Sequence, residues 1–303
     1  MDRSRKAICC LFLFAGSISN ISCSQSTEPD HYPNTRYEDY YATWSEANGL
    51  IAYFHNRHFD DADDHDSTGI YIINPDGSDK YLLYEGHLIA GLDWSPDGQS
   101  LVVNFNMLLI RIAFPSGVAD TLTATGEYWD PVWSPDGRYI AYSIRLGGYR
   151  GGIWIMNMDN GSTRRVVNYC DFANWPYLDS LLYLNLDRNY PIGAICISDT
   201  AGFFGRVVLP PQDGMDHGRP KPKMHASTRR VIFEAQLEGE PPSIWRVNPG
   251  DSWPIRAKQI RTFAMYPAFS PDGSQIVFAD IHENNGKLWI INWDGTGLRQ
   301  LTY

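Results

Sequence analysis

The sequence predicts an all-β fold, a six-bladed β-propeller of four-stranded antiparallel blades. Three observations predict it. A turn of nearly one wording recurs in "WSPDGQSLVV" from Trp94, "WSPDGRYIAY" from Trp133 and "FSPDGSQIVF" from Phe269. Gapless alignment on that turn adds "WSEANGLIAY", "WPYLDSLLYL" and "MHASTRRVIF", so six anchors stand at Trp44, Trp94, Trp133, Trp175, Met224 and Phe269. The composition favours strands and turns, with 18 Tyr, 10 Trp, 26 Gly and 19 Pro in 303 residues, and no long stretch carries apolar residues at helical spacing.

The chain opens with Arg3, Arg5 and Lys6, then runs apolar through "AICCLFLFAGSIS". That run has signal-peptide length and is too short to span a bilayer. Residues 1–22 therefore read as a signal peptide. The following "NISC" resembles a bacterial lipobox through Ile21 and Ser22, with Asn20 where Leu, Val or Ile is usual. The resemblance implies lipidation of Cys23. Residues 23–36 follow as the lipidated Cys and a polar tether with two prolines and no periodicity. Ser24 in place of Asp points, by analogy with lipoproteins of diderm bacteria, to the outer membrane. The expected location is the cell envelope, periplasm or outer membrane, or outside the cell if Cys23 stays unmodified.

Residues 37–303 make the propeller, with blades starting near 41, 90, 130, 172, 220 and 266. Each unit repeats a strand ending at the anchor, a tight turn, a second strand, a variable loop, a third strand, a second tight turn and a fourth strand. The turn chemistry is local. Pro pre-sets the first turn position, Asp bonds backbone two residues on, and Gly takes the positive-φ place. A lone four-stranded sheet cannot bury both faces, whereas radial stacking covers each sheet with its neighbours. The anchors and the third-strand aromatics Tyr71, Trp154, Trp245 and Trp289 fill the wedges between sheets.

The run "WSPDGRYIAY…GGIWIMNMDNGSTRR" resembles the TolB-type propeller repeat, a WD-like, Pro-Asp-type unit also found in tricorn-like and prolyl-oligopeptidase-like propellers. The resemblance extends over nearly all of Tyr37 to Tyr303. It implies the fold strongly and the task weakly, because one fold hosts many tasks. TolB carries an α/β domain before its propeller, for which this chain leaves no room, so its partners are not carried over. The units lack the Gly-His and Trp-Asp marks of WD-type blades and the Ser-x-Asp-x-Gly box of sialidase-type blades.

The formal net charge is −10, and loss of residues 1–22 removes three cations and only Asp2. Such acidity excludes nucleic acid as an expected partner. It leaves membrane contact to the lipid anchor alone. Beyond Cys23 the thiols are Cys170 and Cys196, expected two strands apart and unbridged.

The topology puts the tight turns on one face and the inter-blade and second-to-third-strand loops on the other. Binding is expected on the second, variable face. Its candidate ligand residues are Tyr40, Asp93, Glu127, Trp129, Asp130, Asp171, Phe172 and Tyr266, a ring of aromatics and acids able to stack sugars or grip an extended peptide. The loop "HNRHFDDADDHDSTG" offers His58, Asp61, Asp63 and His65, with His282 from blade 6 nearby, as candidate calcium or zinc ligands. No Gly-x-Ser-x-Gly elbow and no His-Glu-x-x-His occur, so no catalytic residue is assigned and no cofactor is expected beyond that possible Ca or Zn. The expected function is a monomeric, lipid-anchored, non-enzymatic scaffold binding protein or peptide. The alternative is a carbohydrate-binding or carbohydrate-active propeller, a lyase or hydrolase.

Overall fold

The computed structural model describes residues 39–303 apart from 57–65, 87–88, 125, 147–148, 188, 190, 202–205, 212–213, 215–220, 249–256 and 283–285; for residues 89, 90, 145, 146, 149 and 150 it describes the backbone alone. The signal-peptide, Cys23 and tether expectations lie outside the described residues.

The described chain forms six four-stranded antiparallel sheets, and in every sheet the strands follow sequence order. The inner strands are Asp39–Trp44, Ile89–Trp94, Tyr128–Trp133, Cys170–Tyr177, Lys223–Met224 and Ala264–Phe269. Each inner strand touches those of the two neighbouring blades, and the sixth touches the first. The ring is therefore closed around a central channel. No described α-helix occurs, and the six-bladed propeller read from the repeat is the fold.

The core lies between blades. Second strands such as "IAYFH" are buried along their whole length, because a sheet covered on both faces needs apolar residues on both. The anchors Trp44, Trp94, Trp133 and Trp175 and the third-strand Tyr71 and Trp245 are all buried. Cys170 and Cys196 are buried, unbridged, and share blade 4 with one strand between them.

The tight turns are alike in atomic detail. In Ser-Pro-Asp-Gly the Ser hydroxyl donates to the Asp carboxylate, at 2.6 Å for Ser95–Asp97, 2.7 Å for Ser134–Asp136 and 2.6 Å for Ser270–Asp272. The same Ser oxygen accepts a backbone N–H five residues on, at 2.9 Å in each copy. In blade 5, which lacks the motif, His225 stands where blades 1, 2, 3 and 6 place Ser and hydrogen-bonds Thr228 through Nδ1 at 3.0 Å. Its Nε2 lies 3.0 Å from the Pro271 carbonyl. A carbonyl only accepts, so Nε2 carries the proton and Nδ1 is the acceptor.

Closure uses no exchanged strand. Blades 1 and 6 share one apolar cluster that joins Trp44, Ile51 and Tyr53 to Val277, Leu288 and Leu301. A polar latch crosses the same seam. Asp39 lies 2.7 Å from His55 Nδ1, accepts the Thr302 hydroxyl, and donates its own N–H to the Gly286 carbonyl at 2.6 Å. Apolar closure between blades 6 and 1 follows from the repeat; the latch does not.

Candidate functional site: a two-layered central channel

Every fully paired inner strand carries a bulge at one place, three residues before the anchor. The register slips between Tyr40 and Thr43, Ile89 and Leu92, Asp171 and Asn174, and Met265 and Ala268, with the same skip at Asp130. The residue inside each slip has positive φ: Tyr41 (55°), Gly91 (84°), Asp130 (47°), Phe172 (57°) and Tyr266 (54°). Each non-glycine among them carries strain of roughly 1–2 kcal/mol. A bulge bends its strand and re-aims a side chain, and here the re-aimed side chains line the channel. Blade 2 has Gly at this place because a Cβ there would stand 3.1 Å from the Asp130 Cα of the next blade.

Counting back three from Met224 gives Lys221, which completes the layer. Its ammonium is 3.3 Å from Asp130 Oδ1. It also lies 5.0, 5.0 and 5.1 Å from the ring centres of Tyr41, Phe172 and Tyr266. The cation thus sits in a cage of three aromatic faces and one carboxylate. The Lys221 and Asp130 side chains are only 23% and 16% exposed. Burial works against the lysine's charge, but Asp130 and then Tyr41 and Glu234 outweigh it and hold the pKa above the ordinary value. Glu234, itself buried, accepts the Tyr266 N–H at 2.9 Å and so supports the bulge from behind.

One step of two residues further along each strand lies the second layer: Thr43, Asp93, Val132, Asn174, Lys223 and Ala268. Two of its members staple neighbouring blades. Asp93 accepts the Trp133 N–H at 2.9 Å and the Thr43 hydroxyl at 3.3 Å. Asn174 accepts the Met224 N–H at 2.9 Å. Burial pushes the Asp93 carboxyl up to about 6, against the opposing pull of Lys223 and of its two donors. Burial also lowers the Lys223 ammonium, with Asp93 opposing.

The layers differ in bulk, and that decides where space remains. Around the caged Lys221 the free volume is about 60 Å³, room for a few waters. On the tight-turn side, where the second layer is small or polar, cavities of about 200 and 110 Å³ open among Glu46, Asp93, Asn174 and Lys223. The variable face was expected to hold the pocket. Among the described residues, the bulged aromatics narrow the channel toward that face, and the larger cavities face the tight turns.

Of the expected ligand residues, Asp130, Phe172 and Tyr266 meet in the cage and Asp93 lies one layer below. Tyr40, Glu127, Trp129 and Asp171 are not among the residues lining either layer. Tyr40 packs edge-on against Phe54 at 5.1 Å, and Asp171 is fully buried and accepts the Phe172 N–H at 3.1 Å. Of the metal candidates, His58, Asp61, Asp63 and His65 lie outside the described residues. His282 is exposed and sets its ring edge-on to Phe263 at 4.8 Å. Among the described residues no three His, Cys, Asp or Glu side chains cluster as a metal site. Sequence reasoning missed Lys221 and Lys223, which stepping back three and one from the Met224 anchor would have found.

Fold and channel together define a six-bladed propeller with an internally plugged axial channel. No protein-family model matches the chain, and no curated protein matches it. Solved structures do. TolB from Acinetobacter baumannii aligns with TM-score 0.67 at 16% identity over 89% of this chain, which spans 65% of that protein's length. A putative TolB from Agrobacterium tumefaciens aligns with TM-score 0.58 at 23% identity, over 74% of this chain and 84% of that one. An oligogalacturonate lyase in complex with manganese aligns with TM-score 0.56 at 14% identity, over 88% and 78%. At such identities the likeness is one of fold.

Proposed function

We propose that this chain is a non-enzymatic scaffold that binds a protein or peptide on its variable-loop face, around the channel mouth. The observation that carries the reading is the repeated left-handed bulge. Strain at one equivalent place in five blades, four of them without glycine, collects at one site, and strained backbone gathers at ligand clamps. The same face exposes apolar side chains at Met107 (50%) and Tyr169 (61%), a docking feature when clustered near a rigid mouth. Export and tethering through a lipid on Cys23 belong to this reading. They are supported by the apolar leader and the lipobox-like "NISC".

The test is capture from the native envelope with the soluble form that starts after Cys23, compared across faces. Tyr169→Ser with Met107→Ser should abolish capture of a given partner, and Leu178→Ser on the tight-turn face should leave it intact. Equal capture by both would refute the placement. Labelled palmitate incorporation, lost in Cys23→Ser, tests the anchor.

A second reading, carbohydrate binding or turnover, draws on the aromatic and acidic cage and on the fold shared with a lyase. The small volume at the cage confines any sugar to the rim. Release of product from oligogalacturonate or another glycan would favour it.

A further inference from the structure

Lys223 is the channel cation without a counter-ion. Among the described residues no carboxylate pairs with it as Asp130 pairs with Lys221. Its position on the ring says what faces it. In a six-membered ring blade 5 lies opposite blade 2, so Lys223 looks across the channel at Asp93. Blade 4 lies opposite blade 1, so Asn174 looks across at Glu46. All four line the cavities of the tight-turn end.

The donor groups thus stand on one side and the acceptors on the other. Asn174 spends its oxygen on the Met224 N–H, which leaves its amide N–H₂ as the group to offer. The Asp93 oxygens accept one bond each, and a carboxylate has about four acceptor sites. Glu46 is exposed at the mouth. His225, also on the wall, has its Nε2 proton committed to the Pro271 carbonyl. Asp93 and Lys223 each shift the other's titration while forming no ion pair. The two charges line one cavity without touching.

We propose that the tight-turn end of the channel binds a small zwitterion of the α-amino-acid type, its carboxylate on Lys223 and Asn174 and its ammonium on Asp93 and Glu46. A lone anion would face two carboxylates, and a lone cation would face Lys223, whereas a molecule carrying both charges meets the complementary group at each end. The indole-bearing walls from Trp44, Trp94, Trp133 and Trp175 take an apolar side chain. This site lies at the opposite end of the channel from the docking face, so the two readings stand or fall separately.

The test is isothermal titration of the full chain with glycine, alanine, leucine and glutamine, against acetate and methylammonium as the separate halves. At least one amino acid should bind, and both halves at least tenfold more weakly. Asp93→Asn and Lys223→Gln should each weaken binding at least tenfold with unchanged circular dichroism. Asn174→Asp keeps the staple to Met224 and replaces the donor by a carboxylate, so it reads the same contact if Lys223→Gln does not fold. Absence of heat with all four amino acids would overturn the proposal and leave water as the bridge. So would binding that none of the three substitutions changes.

Discussion

Lys221 of blade 5 and Asp130 of blade 3 meet 3.3 Å apart on the channel axis, two blades from each other around the ring. The other Asp130 oxygen is buried and has no hydrogen-bond partner among the described residues, so the lysine is the main compensation for that charge. Three aromatic faces surround the ammonium and shield the pair from bulk solvent. Removing one partner of a buried pair costs more than the pair gains, because a desolvated charge is left behind.

Lys221→Met should therefore destabilise the chain by about 2–4 kcal/mol, a range below the fully buried limit because both side chains keep some exposure. The double variant with Asp130→Asn should lose less than the sum of the single losses, with a coupling of about 1 kcal/mol or more. Urea denaturation of the four proteins measures both quantities. A Lys221→Met chain as stable as the parent would show that the cage needs no cation.

The repeated turn serines give a prediction with an internal control. Ser95, Ser134 and Ser270 each donate to an Asp and accept a backbone N–H with nearly the same distances. Each Ser→Ala should cost about 1 kcal/mol. The three sites are in different blades and should add within about 0.5 kcal/mol. Strong non-additivity in thermal unfolding would mean that the turns communicate.

The latch at the seam should matter for opening more than for average stability. Asp39 ties its own strand to Thr302 and to His55, and all three are buried. Asp39→Ala removes the buried acceptor that faces both His55 and Thr302 and should cost about 2–4 kcal/mol. The loss should fall unevenly. Amide exchange should accelerate at Leu288 and Leu301, beside the seam, and stay slow at Leu182 and Tyr183 in blade 4. Uniform acceleration would argue that the ring unfolds as one unit with no weak seam.

Much of this architecture was legible in the residues. Turn chemistry is local, so Ser-Pro-Asp-Gly marked its hairpins without tertiary information, and the period of the anchors counted the blades. The bulges were not legible. Tyr41, Asp130, Phe172 and Tyr266 take φ of 55°, 47°, 57° and 54° without being Gly or Asn, and no local sequence pattern announces that. Reading the acids and aromatics by type listed Asp130, Phe172 and Tyr266, which stand together around Lys221, and also Asp171, which is buried beside Phe172 outside that layer. Lys221 and Lys223 were passed over although the Met224 anchor fixed their register, because a search by residue type admitted acids and aromatics and no cation. The latch joins residues 39 and 302, a pairing no local pattern announces.

The second layer makes stability depend on pH through Asp93. Burial raises its carboxyl to about 6 from the ordinary 3.8, so the folded chain holds this proton to a higher pH than the unfolded chain does. Between about pH 4 and pH 6 the folded state binds more protons, and stability from this group falls as pH rises through that window. The stabilising contribution is complete below pH 4 and gone above pH 6. A rise of that size corresponds to about 3 kcal/mol. The turn aspartates Asp97, Asp136 and Asp272 are shifted the other way by their hydrogen bonds. They act at the acid end, where the carboxylates gain protons, and are flat across the Asp93 window. Urea midpoints at pH 4.5, 5.5 and 7 should therefore show Asp93→Asn gaining on the parent as pH rises, by roughly 1–3 kcal/mol across the series. Parallel curves for the two proteins would mean that Asp93 titrates normally and that its burial is compensated by the donors on Trp133 and Thr43.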